Sequence, residues 1–265
     1  MEQIEIESTE VESTEAAYIV RAVVRVLDIL DVLQESPNGV TLQEVQTATK
    51  LPKSSAFRYL ATLASRGYAR HDPATGIYQL GSAFLPSYAR HLALLAARAR
   101  PLLEELRDRF GETTNFGVLD GTKVAYLEIL ESPKSMRFAA RSGERGPLHS
   151  TSLGKAIAMG LTEREIRSIL AAEGMPRQTS NTITDVDLYL QEIEKARKQG
   201  FAFDNEENEE GGLCVAVPIP NSRVPMAISL SAPSVRFSLS DLAACAPYLK
   251  DTAIRLAREL GVVGT

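Results

Sequence analysis

Residues 41–80 constrain the fold more than any other part of the sequence. They open with a capping box, Thr41–Glu44, in which the threonine hydroxyl and the glutamate carboxylate each accept a backbone N–H at the start of a helix. A helix is therefore expected to begin directly after the threonine and to run to about Thr49. Only Lys50-Leu51 separates it from Pro52, which suits the first turn of another helix because its missing N–H costs nothing there.

The helix that follows Pro52 leads directly into a predicted hairpin. Gly67 ends this helix, because glycine accepts the left-handed backbone common after a helix. Residues 68–70 and 77–80 then indicate two short strands, joined by the turn-forming segment His71–Gly76. The apolar face of the helix carries Ala56, Leu60 and Leu63.

Another helix precedes the capping box. Apolar residues recur at three- and four-residue steps from Ile19 to Leu33, and the turn-formers of Ser36–Gly39 break that pattern. Three short helices alone would fit an ordinary mini-domain. The order helix, helix, tight joint, helix and hairpin, all within about 65 residues, instead predicts a winged helix-turn-helix domain over residues 18–81.

The net charge of −5 is unevenly distributed. Residues 1–18 hold six Glu and no Lys or Arg, and this composition predicts a disordered acidic tail over residues 1–17. Residues 19–95 hold eight Lys or Arg against five Asp or Glu. That weak positive balance is compatible with nucleic-acid binding and equally with an ordinary solvated face.

Composition excludes several classes of protein. No apolar run approaches the ~18 residues of a membrane helix, and the acidic N-terminus is not a secretory signal. The two cysteines, Cys214 and Cys245, give neither a disulfide framework nor a zinc spacing. We therefore expect a protein of the reducing cytoplasm, with no metal and no cofactor.

The rest of the chain predicts an α+β domain with a largely antiparallel sheet, because strand pairs mix with helices. Residues 82–100 are expected to form a linker helix that packs against a second subunit or against the chain's own N-terminal domain. Asp120-Gly121 predicts a hairpin, and Ser240 is expected to cap the final helix. Further strands are expected at 135–141, 201–204, 214–220 and 225–231, and helices at 102–110, 151–159, from 162 and at 185–199.

Six short segments together carry a resemblance that none of them would carry alone. In chain order they are Ile19–Leu30, Leu51–Leu60, Arg66–Tyr68, Tyr78–Gly81, His149–Ala156 and Asp204–Pro218. In this order they resemble the IclR family of bacterial transcription regulators, over essentially all of residues 19–263. The first four are similar to that family's opening helix, recognition helix and wing, and the last two to signatures of its C-terminal domain.

The resemblance implies a winged helix, a linker helix that pairs subunits, and a GAF-like effector-binding and oligomerisation domain over residues 101–265. It implies a homodimer or homotetramer that binds a palindromic double-stranded DNA operator and is not an enzyme. We expect a repressor of a catabolic operon, controlled by a small organic acid such as a 2-oxo acid, a sugar acid or an aromatic acid. The family pattern has Ala where this chain has Ser152, which adds a hydroxyl near the expected pocket.

DNA-binding residues are expected at the start of the recognition helix, the end that enters the major groove. Arg58 is expected to read a guanine edge with its forked guanidinium, worth about 1–3 kcal/mol of discrimination. Lys53 and Arg70 are expected to bind phosphate. Packing is the alternative role for Phe57 and Tyr59. The predicted set is Lys53, Ser54, Ser55, Phe57, Arg58, Tyr59 and Arg70.

The effector is expected where a helix opens near Thr151, because hydroxyls and free backbone N–H groups suit a carboxylate. Plain N-capping by Ser150 or Thr151 explains the hydroxyls equally well. Ser229 and Ser231 share one strand face, which the resemblance places inward. Arg137 and Arg141 are expected either to neutralise an acidic effector or to be solvated. The predicted set is Thr151, Ser152, Leu153, Gly154, Asp204, Cys214, Ser229 and Ser231.

Two other classes of function remain as alternatives. Cys214, His149 and Asp204 are the residue types of a thiol hydrolase, but Cys214 lies in an apolar strand, where a small buried side chain is the commoner role. Zinc binding by His149 and Cys214 lacks further ligands at a suitable spacing. The other alternative is a DNA-binding protein without a ligand, whose C-terminal domain only oligomerises.

Overall fold

The computed structural model describes residues 19–36, 38–138 and 143–261. The predicted acidic tail, residues 1–17, and the candidate effector residue Arg141 lie outside these ranges. The chain forms two compact units, an N-terminal unit that ends at Arg90 and a C-terminal unit that begins at His91. No helix in the described ranges is both long enough and apolar enough to cross a membrane.

The described part of the N-terminal unit combines helices with a small antiparallel sheet of order β1-β3-β2. The hairpin predicted from the sequence is β2–β3, and β1 adds a third strand directly ahead of the capped helix. Because β1 has only two residues, it leaves no period-two pattern in the sequence. The elements are α1 Arg21–Gln34, β1 Val40–Thr41, α2 Leu42–Thr49, α3 Lys53–Ser65, β2 Ala69–Asp72 and β3 Ile77–Leu80.

The predicted capping box starts α2. The N–H of Glu44 donates to Thr41 Oγ1 at 3.3 Å, and the N–H of Thr41 donates to Glu44 Oε2 at 2.7 Å. The helix ends because Lys50 takes a left-handed backbone, with φ of 55°, and α3 then begins after Pro52. The buried faces of the unit meet in one core: Ile29, Leu33, Val40, Val45, Leu51, Ala56, Leu60, Leu63, Ala69 and Tyr78.

Helix α4 spans Leu85–Phe110 and continues through Pro101. The boundary predicted between residues 100 and 101 therefore falls inside a helix. The reason is packing: the apolar face of α4 stays buried on both sides of the proline in the core of the C-terminal unit, at Leu95, Ala99, Leu102, Leu103 and Leu106. The Thr114 hydroxyl also donates to the Leu103 carbonyl at 3.0 Å. Helix α4 therefore packs on the C-terminal unit, a partner that the sequence did not suggest.

The C-terminal unit is built on a six-stranded sheet of order β6-β5-β4-β9-β8-β7. Every pairing in it is antiparallel, which confirms the predicted α+β class. The strands are β4 Thr113–Asp120, β5 Lys123–Leu130, β6 Arg145–Gly146, β7 Ala202–Asn205, β8 Gly212–Pro218 and β9 Met226–Pro233.

Helices cover both faces of this sheet. Helix α4 and the final helix α8 (Leu239–Glu259) share a core with one face. The other face packs against α5 (Ser152–Ala158), α6 (Glu163–Glu173) and α7 (Val186–Gln199). Alternation along β8 assigns the faces: Val215 belongs to the first core and Ala216 to the second. Cys214 therefore lies on the same side as Ala216, toward α5.

Two local predictions for this unit were wrong. Residues 135–138 are not a strand, and the edge of the sheet is instead the short strand β6. Helix α8 is capped by Ser238, not by Ser240, which lies within its first turn. A capping box needs an acidic side chain three residues after the cap, and Asp241 stands at that distance only from Ser238.

Candidate functional site

Helix α3 presents an exposed patch on its N-terminal half. Because Ala56 is fully buried in the core, the residues on the opposite side of the helix face solvent. We call this group the α3 patch: Lys53, Ser54, Phe57 and Arg58. Phe57 is 52% exposed, so its side chain does not serve the core.

The two remaining predicted residues of α3 are half-buried. Ser55 and Tyr59 lie four positions apart, on the flank between the core and the patch. Tyr59 packs against the core of the N-terminal unit, as the packing alternative anticipated. The structure therefore brings four of the six predicted α3 residues to the exposed face and leaves these two at its edge.

The start of α3 has no side-chain cap within the described residues, because Pro52 occupies the N-cap position. The N–H groups of Ser55 and Ala56 both donate to the Pro52 carbonyl at 3.0 Å. Those of Lys53 and Ser54 precede the first of these bonds. An open helix start of this kind suits an external anion such as a phosphate.

The hairpin β2–β3 holds Arg70 on its exposed side. Arg70 pairs in register with Gln79, whose side-chain oxygen accepts a hydrogen bond from the guanidinium. The neighbouring His71 stacks on Tyr78 with ring centroids 4.3 Å apart. Backbone and hydroxyl hydrogen bonds from the turn hold the pKa of Asp72 below its ordinary value. The sequence pattern gave no sign of the Gln79 and His71 contacts.

A polar cavity of about 190 Å³ lies in the C-terminal unit. Six of the eight predicted effector residues line it: Thr151, Ser152, Asp204, Cys214, Ser229 and Ser231. The lining also includes Asn115, Tyr126 and Phe138, which the sequence reasoning missed. Arg137 does not line it, since its guanidinium donates to the Glu131 carboxylate at 2.7 Å.

A row of side chains across four strands forms one wall of this polar cavity. Asp204 on β7 stands opposite Cys214 on β8. Cys214 in turn stands opposite Ser231 on β9, which pairs with Thr113 on β4. Residues directly opposed in antiparallel strands point to the same face of a sheet. The strand register therefore assembles this wall from distant parts of the chain.

Asn115 fixes the two serines of β9. Its side-chain amide donates to Ser229 Oγ at 3.0 Å and to Ser231 Oγ at 3.1 Å. Both serines are buried, at 1% and 8% exposure, and both line the cavity, so their shared face is the inward one. Because each serine oxygen accepts this amide, its own O–H can still donate. Asn115 alternates with Thr113 along β4, a period-two polar signal that could have revealed it.

Helix α5 begins against the cavity. Thr151 Oγ1 accepts the N–H of Gly154 at 3.0 Å and donates to the Pro147 carbonyl at 2.8 Å. The capping role considered for Thr151 is thus what its hydroxyl does, although the residue also lines the cavity. Leu153 lies in the core, and Gly154 presses on Leu148, where an added Cβ would come 2.4 Å from the carbonyl oxygen.

Asp204 is the buried acid of the cavity. Burial raises the pKa of its carboxyl to about 7, although two backbone N–H bonds oppose the rise. Those bonds come from Glu207 at 2.8 Å and Asn208 at 3.2 Å, and both end on Oδ1. The strand end thereby holds the loop that follows it against the cavity.

A buried ion pair between α5 and Glu207 also anchors the loop that follows β7. Lys155 of α5 is fully buried, and its Nζ donates to the Glu207 carboxylate at 2.5 and 2.6 Å. Burial raises the pKa of Glu207, and Lys155 acts in the opposite direction. Hydroxyls of Thr179 and Thr182 donate to the carbonyls of Glu206 and Glu207, each at 2.6 Å. Lys155 was not among the predicted site residues.

Two family models match this chain, one over the α3 patch and the other over the residues that line the polar cavity. The family model described as "Bacterial transcriptional regulator IclR C-terminal" matches residues 87–258. The model described as "IclR helix-turn-helix domain" matches residues 22–73. The chain belongs to the IclR family. The resemblance stated from the sequence is thereby confirmed, and the α3 patch lies within the helix-turn-helix match of this IclR-family chain.

A curated relative in the IclR family covers nearly the whole chain. The HTH-type transcriptional regulator XynR of Escherichia coli (strain K12) is 33% identical over 249 residues, which is 92% of this chain and 98% of that protein. The chain is accordingly an IclR-family DNA-binding transcriptional regulator of the helix-turn-helix type.

Solved IclR-family structures share the fold. The crystal structure of Thermotoga maritima IclR has a TM-score of 0.61 at 29% identity and covers 90% of this chain and 98% of its own. An IclR homologue from Microbacterium hydrocarbonoxydans, solved with 4-hydroxybenzoate, has a TM-score of 0.58 at 23% identity and covers 91% of this chain and 100% of its own. At that identity the second comparison speaks for the fold alone.

The relatives are regulators, which confirms the prediction that this IclR-family chain is not an enzyme. His149 does not line the cavity and donates from Nε2 to the Pro176 carbonyl at 3.1 Å. Burial raises the pKa of the Cys214 thiol, which hydrogen bonds with Ser231 and Ser152. Within the described residues no three His, Cys, Asp or Glu side chains gather to hold a metal ion.

Proposed function

We propose that this regulator binds its operator through the α3 patch and the wing, and that a small organic acid in the polar cavity changes that binding. One observation carries the proposal: the same chain holds an exposed, uncapped helix start and a buried polar cavity of about 190 Å³. The first suits DNA phosphates and base edges. The second is concave and lined by convergent polar groups, as ligand sites are.

Each polar side chain of the α3 patch has a proposed role on DNA. Arg58 reads a base edge, because its guanidinium offers two parallel donors. Lys53 and Arg70 bind phosphates and add affinity without sequence preference. Ser54 supplies a hydroxyl and a backbone N–H at the helix start. Ser55 and Tyr59, half-buried at the edge of the patch, reach only the nearest phosphates or bases.

We propose an acid as the effector because the cavity offers hydrogen-bond donors that a carboxylate can accept. Ser152 and the two serines of β9 offer hydroxyls, and Tyr126 adds a phenol whose pKa is raised by burial.

Self-association and repression complete the proposal. Helix α1 leaves apolar side chains exposed at positions 20, 23, 24 and 27, a spacing that makes one continuous stripe. We propose that a second copy of this chain covers the stripe, since paired recognition helices on half-sites one helical turn apart match a palindromic operator. The assembly would repress a catabolic operon until the acid arrives. Light scattering on the purified chain at several concentrations tests the dimer.

The test of the whole proposal starts from the purified full chain. Operator sequences are selected from a random duplex library, and their affinity is measured by fluorescence anisotropy with and without pyruvate, gluconate or 4-hydroxybenzoate. A binding acid at a hundred times its Kd should stabilise the fold by about 2.7 kcal/mol and also shift operator affinity. The coupling expected is about 1–3 kcal/mol, or 5- to 150-fold.

Two variants separate the sites. Arg58→Ala should weaken operator binding by about 1–3 kcal/mol but keep the acid-induced rise in Tm. Ser152→Leu, which fills the cavity, should keep operator binding but lose the response to acid. An acid that raises Tm without changing operator affinity would contradict the coupling. Operator binding with no response to any small molecule would leave a ligand-independent regulator whose C-terminal unit only assembles.

A further inference from the structure

The inner wall of the polar cavity carries one buried carboxyl within the described residues. Asp204 is 4% exposed, whereas the charged lining residues Glu144, Arg145 and Glu209 are exposed at its rim, where water screens them. The other buried side chains of the lining are uncharged: Thr113, Asn115, Thr151, Ser152, Ser229 and Ser231. The charge that a bound ligand meets is therefore set by Asp204.

The described lining offers an anion no buried cation. The Arg145 guanidinium is bonded to the Asp120 carboxylate at the exposed rim. Lys155 does not line the cavity, and its ammonium is held by Glu207. An anionic ligand would therefore lie beside Asp204 with no buried cation among the described lining residues, and two carboxylates in one buried site repel each other strongly.

The hydrogen bonds of Asp204 favour a proton on one of its oxygens. Both backbone donors, from Glu207 and Asn208, end on Oδ1. Oδ2 is thus the oxygen that can carry a proton while those bonds persist. A neutral carboxyl has one O–H to donate, whereas a carboxylate can only accept.

The groups that face Asp204 come from several elements. Burial is the strongest cause, and it raises the pKa of Asp204. The charge of Glu207, in the loop after β7, also raises it, whereas the charge of Lys155 of α5 lowers it. Cys214 of β8 and Tyr126 of β5 have pKa values raised by burial, so both stay neutral near pH 7. The titration of Asp204 itself falls near neutrality, at a pKa of about 7.

We propose that Asp204 is the specificity-determining residue of the polar cavity, and that it admits an anionic effector only as the neutral acid. In the complex, Oδ2–H donates to the effector carboxylate. Above neutral pH, where the free protein holds Asp204 as a carboxylate, binding takes up one proton from solvent along with the anion. The inference rests on the proposed function and states how the effector site selects a ligand by its charge.

The experiment compares acids with their amides in the full chain. Titration calorimetry measures Kd for pyruvate, gluconate and 4-hydroxybenzoate and for the corresponding neutral amides, from about pH 5.5 to 8.5. For an acid that binds, Kd should be constant well below pH 7 and rise about tenfold per pH unit above it, because each unit removes the required proton from ten times more molecules. Kd of an amide should not follow that profile.

Substitutions identify the residue. Asp204→Asn keeps the shape and supplies an N–H donor at every pH, so it should bind the acid at high pH about as tightly as the natural protein does at low pH. Glu210→Gln, at an exposed position outside the cavity lining, should keep the natural pH profile. The proton uptake is checked by repeating the pH 8 titration in buffers of different ionisation enthalpy, whose apparent heats should differ accordingly.

Each other result overturns the inference. An acid Kd that does not change with pH, or an Asp204→Asn variant whose acid Kd still rises about tenfold per pH unit above pH 7, shows that the acid does not require a proton on Asp204. Binding of amides alone overturns it but leaves a ligand-responsive cavity. If none of the six compounds binds or shifts operator affinity, both the inference and the proposed organic-acid effector are wrong.

Discussion

The α3 patch and the polar cavity position their functional side chains by different means. The patch takes all its members from six consecutive residues, Lys53–Arg58, of one helix whose opposite face is buried. The cavity collects residues from β4, β7, β8 and β9 and from the start of α5, and it depends on the strand register. A substitution on the helix surface should therefore affect one side chain alone. A substitution in the cavity should also disturb the neighbouring residues that depend on the same strand register. Three predictions test this contrast.

The largest effect is expected from Lys155→Met. Removing the ammonium leaves the Glu207 carboxyl buried without its partner, which should lower the free energy of unfolding by about 3–5 kcal/mol. Urea denaturation followed by circular dichroism measures this loss. The double variant Lys155→Met/Glu207→Leu should recover much of it, because no buried charge is left over. Equal losses in the single and double variants would show that the ion pair is not what the loop depends on.

The second effect concerns the patch. Arg58→Ala should weaken binding to a selected operator by about 1–3 kcal/mol and relax the preference at one base pair. The free energy of unfolding should stay within about 0.5 kcal/mol of the natural protein, because the side chain is exposed. Arg66→Ala, exposed at the other end of α3, is the matched control and should bind nearly as tightly as the natural chain. A loss of stability with Arg58→Ala would contradict this, because it would show that the arginine stabilises the fold.

Taken per pH unit, the smallest effect is the dependence of stability on pH. The pKa of Asp204 is raised to about 7 in the folded chain from 3.8, so its stabilising contribution is full below pH 4 and is lost as pH rises through 7. Urea denaturation should show the natural protein losing at most about 1.4 kcal/mol per pH unit relative to Asp204→Asn. The comparison with that variant removes the opposing contribution of His149, whose pKa is lowered by burial. Parallel profiles would mean that Asp204 titrates far below neutrality.

The sequence predicted the helical parts of the molecule well because their signals are local. The capping box at Thr41 and the apolar face of α3 each involve residues within one or two turns, and both form as predicted. Six of the eight effector residues line one cavity, but their grouping came from the family resemblance and not from spacing. The roles of these residues on DNA and ligand stay predictions.

What the sequence missed depends on contacts between distant segments. Asn115 is one polar residue in a strand until the register sets it against Ser229. The two helices predicted at 82–100 and 102–110 are joined in α4, because the sheet of the C-terminal unit buries the apolar face on both sides of Pro101. Leu153 follows the helix start in sequence, yet packs in the core. A linear pattern records none of these partners.

The uncapped start of α3 has a consequence for the timescale on which the helix opens. With no side chain bonded to its first turn within the described residues, the amide hydrogens of Lys53 and Ser54 should exchange with solvent quickly in the free regulator. An operator phosphate that accepts them would complete the helix, so their exchange should slow on DNA while that of Leu60, already in the core, should barely change. DNA would then act as the missing cap, and part of the binding free energy would go into ordering the start of α3.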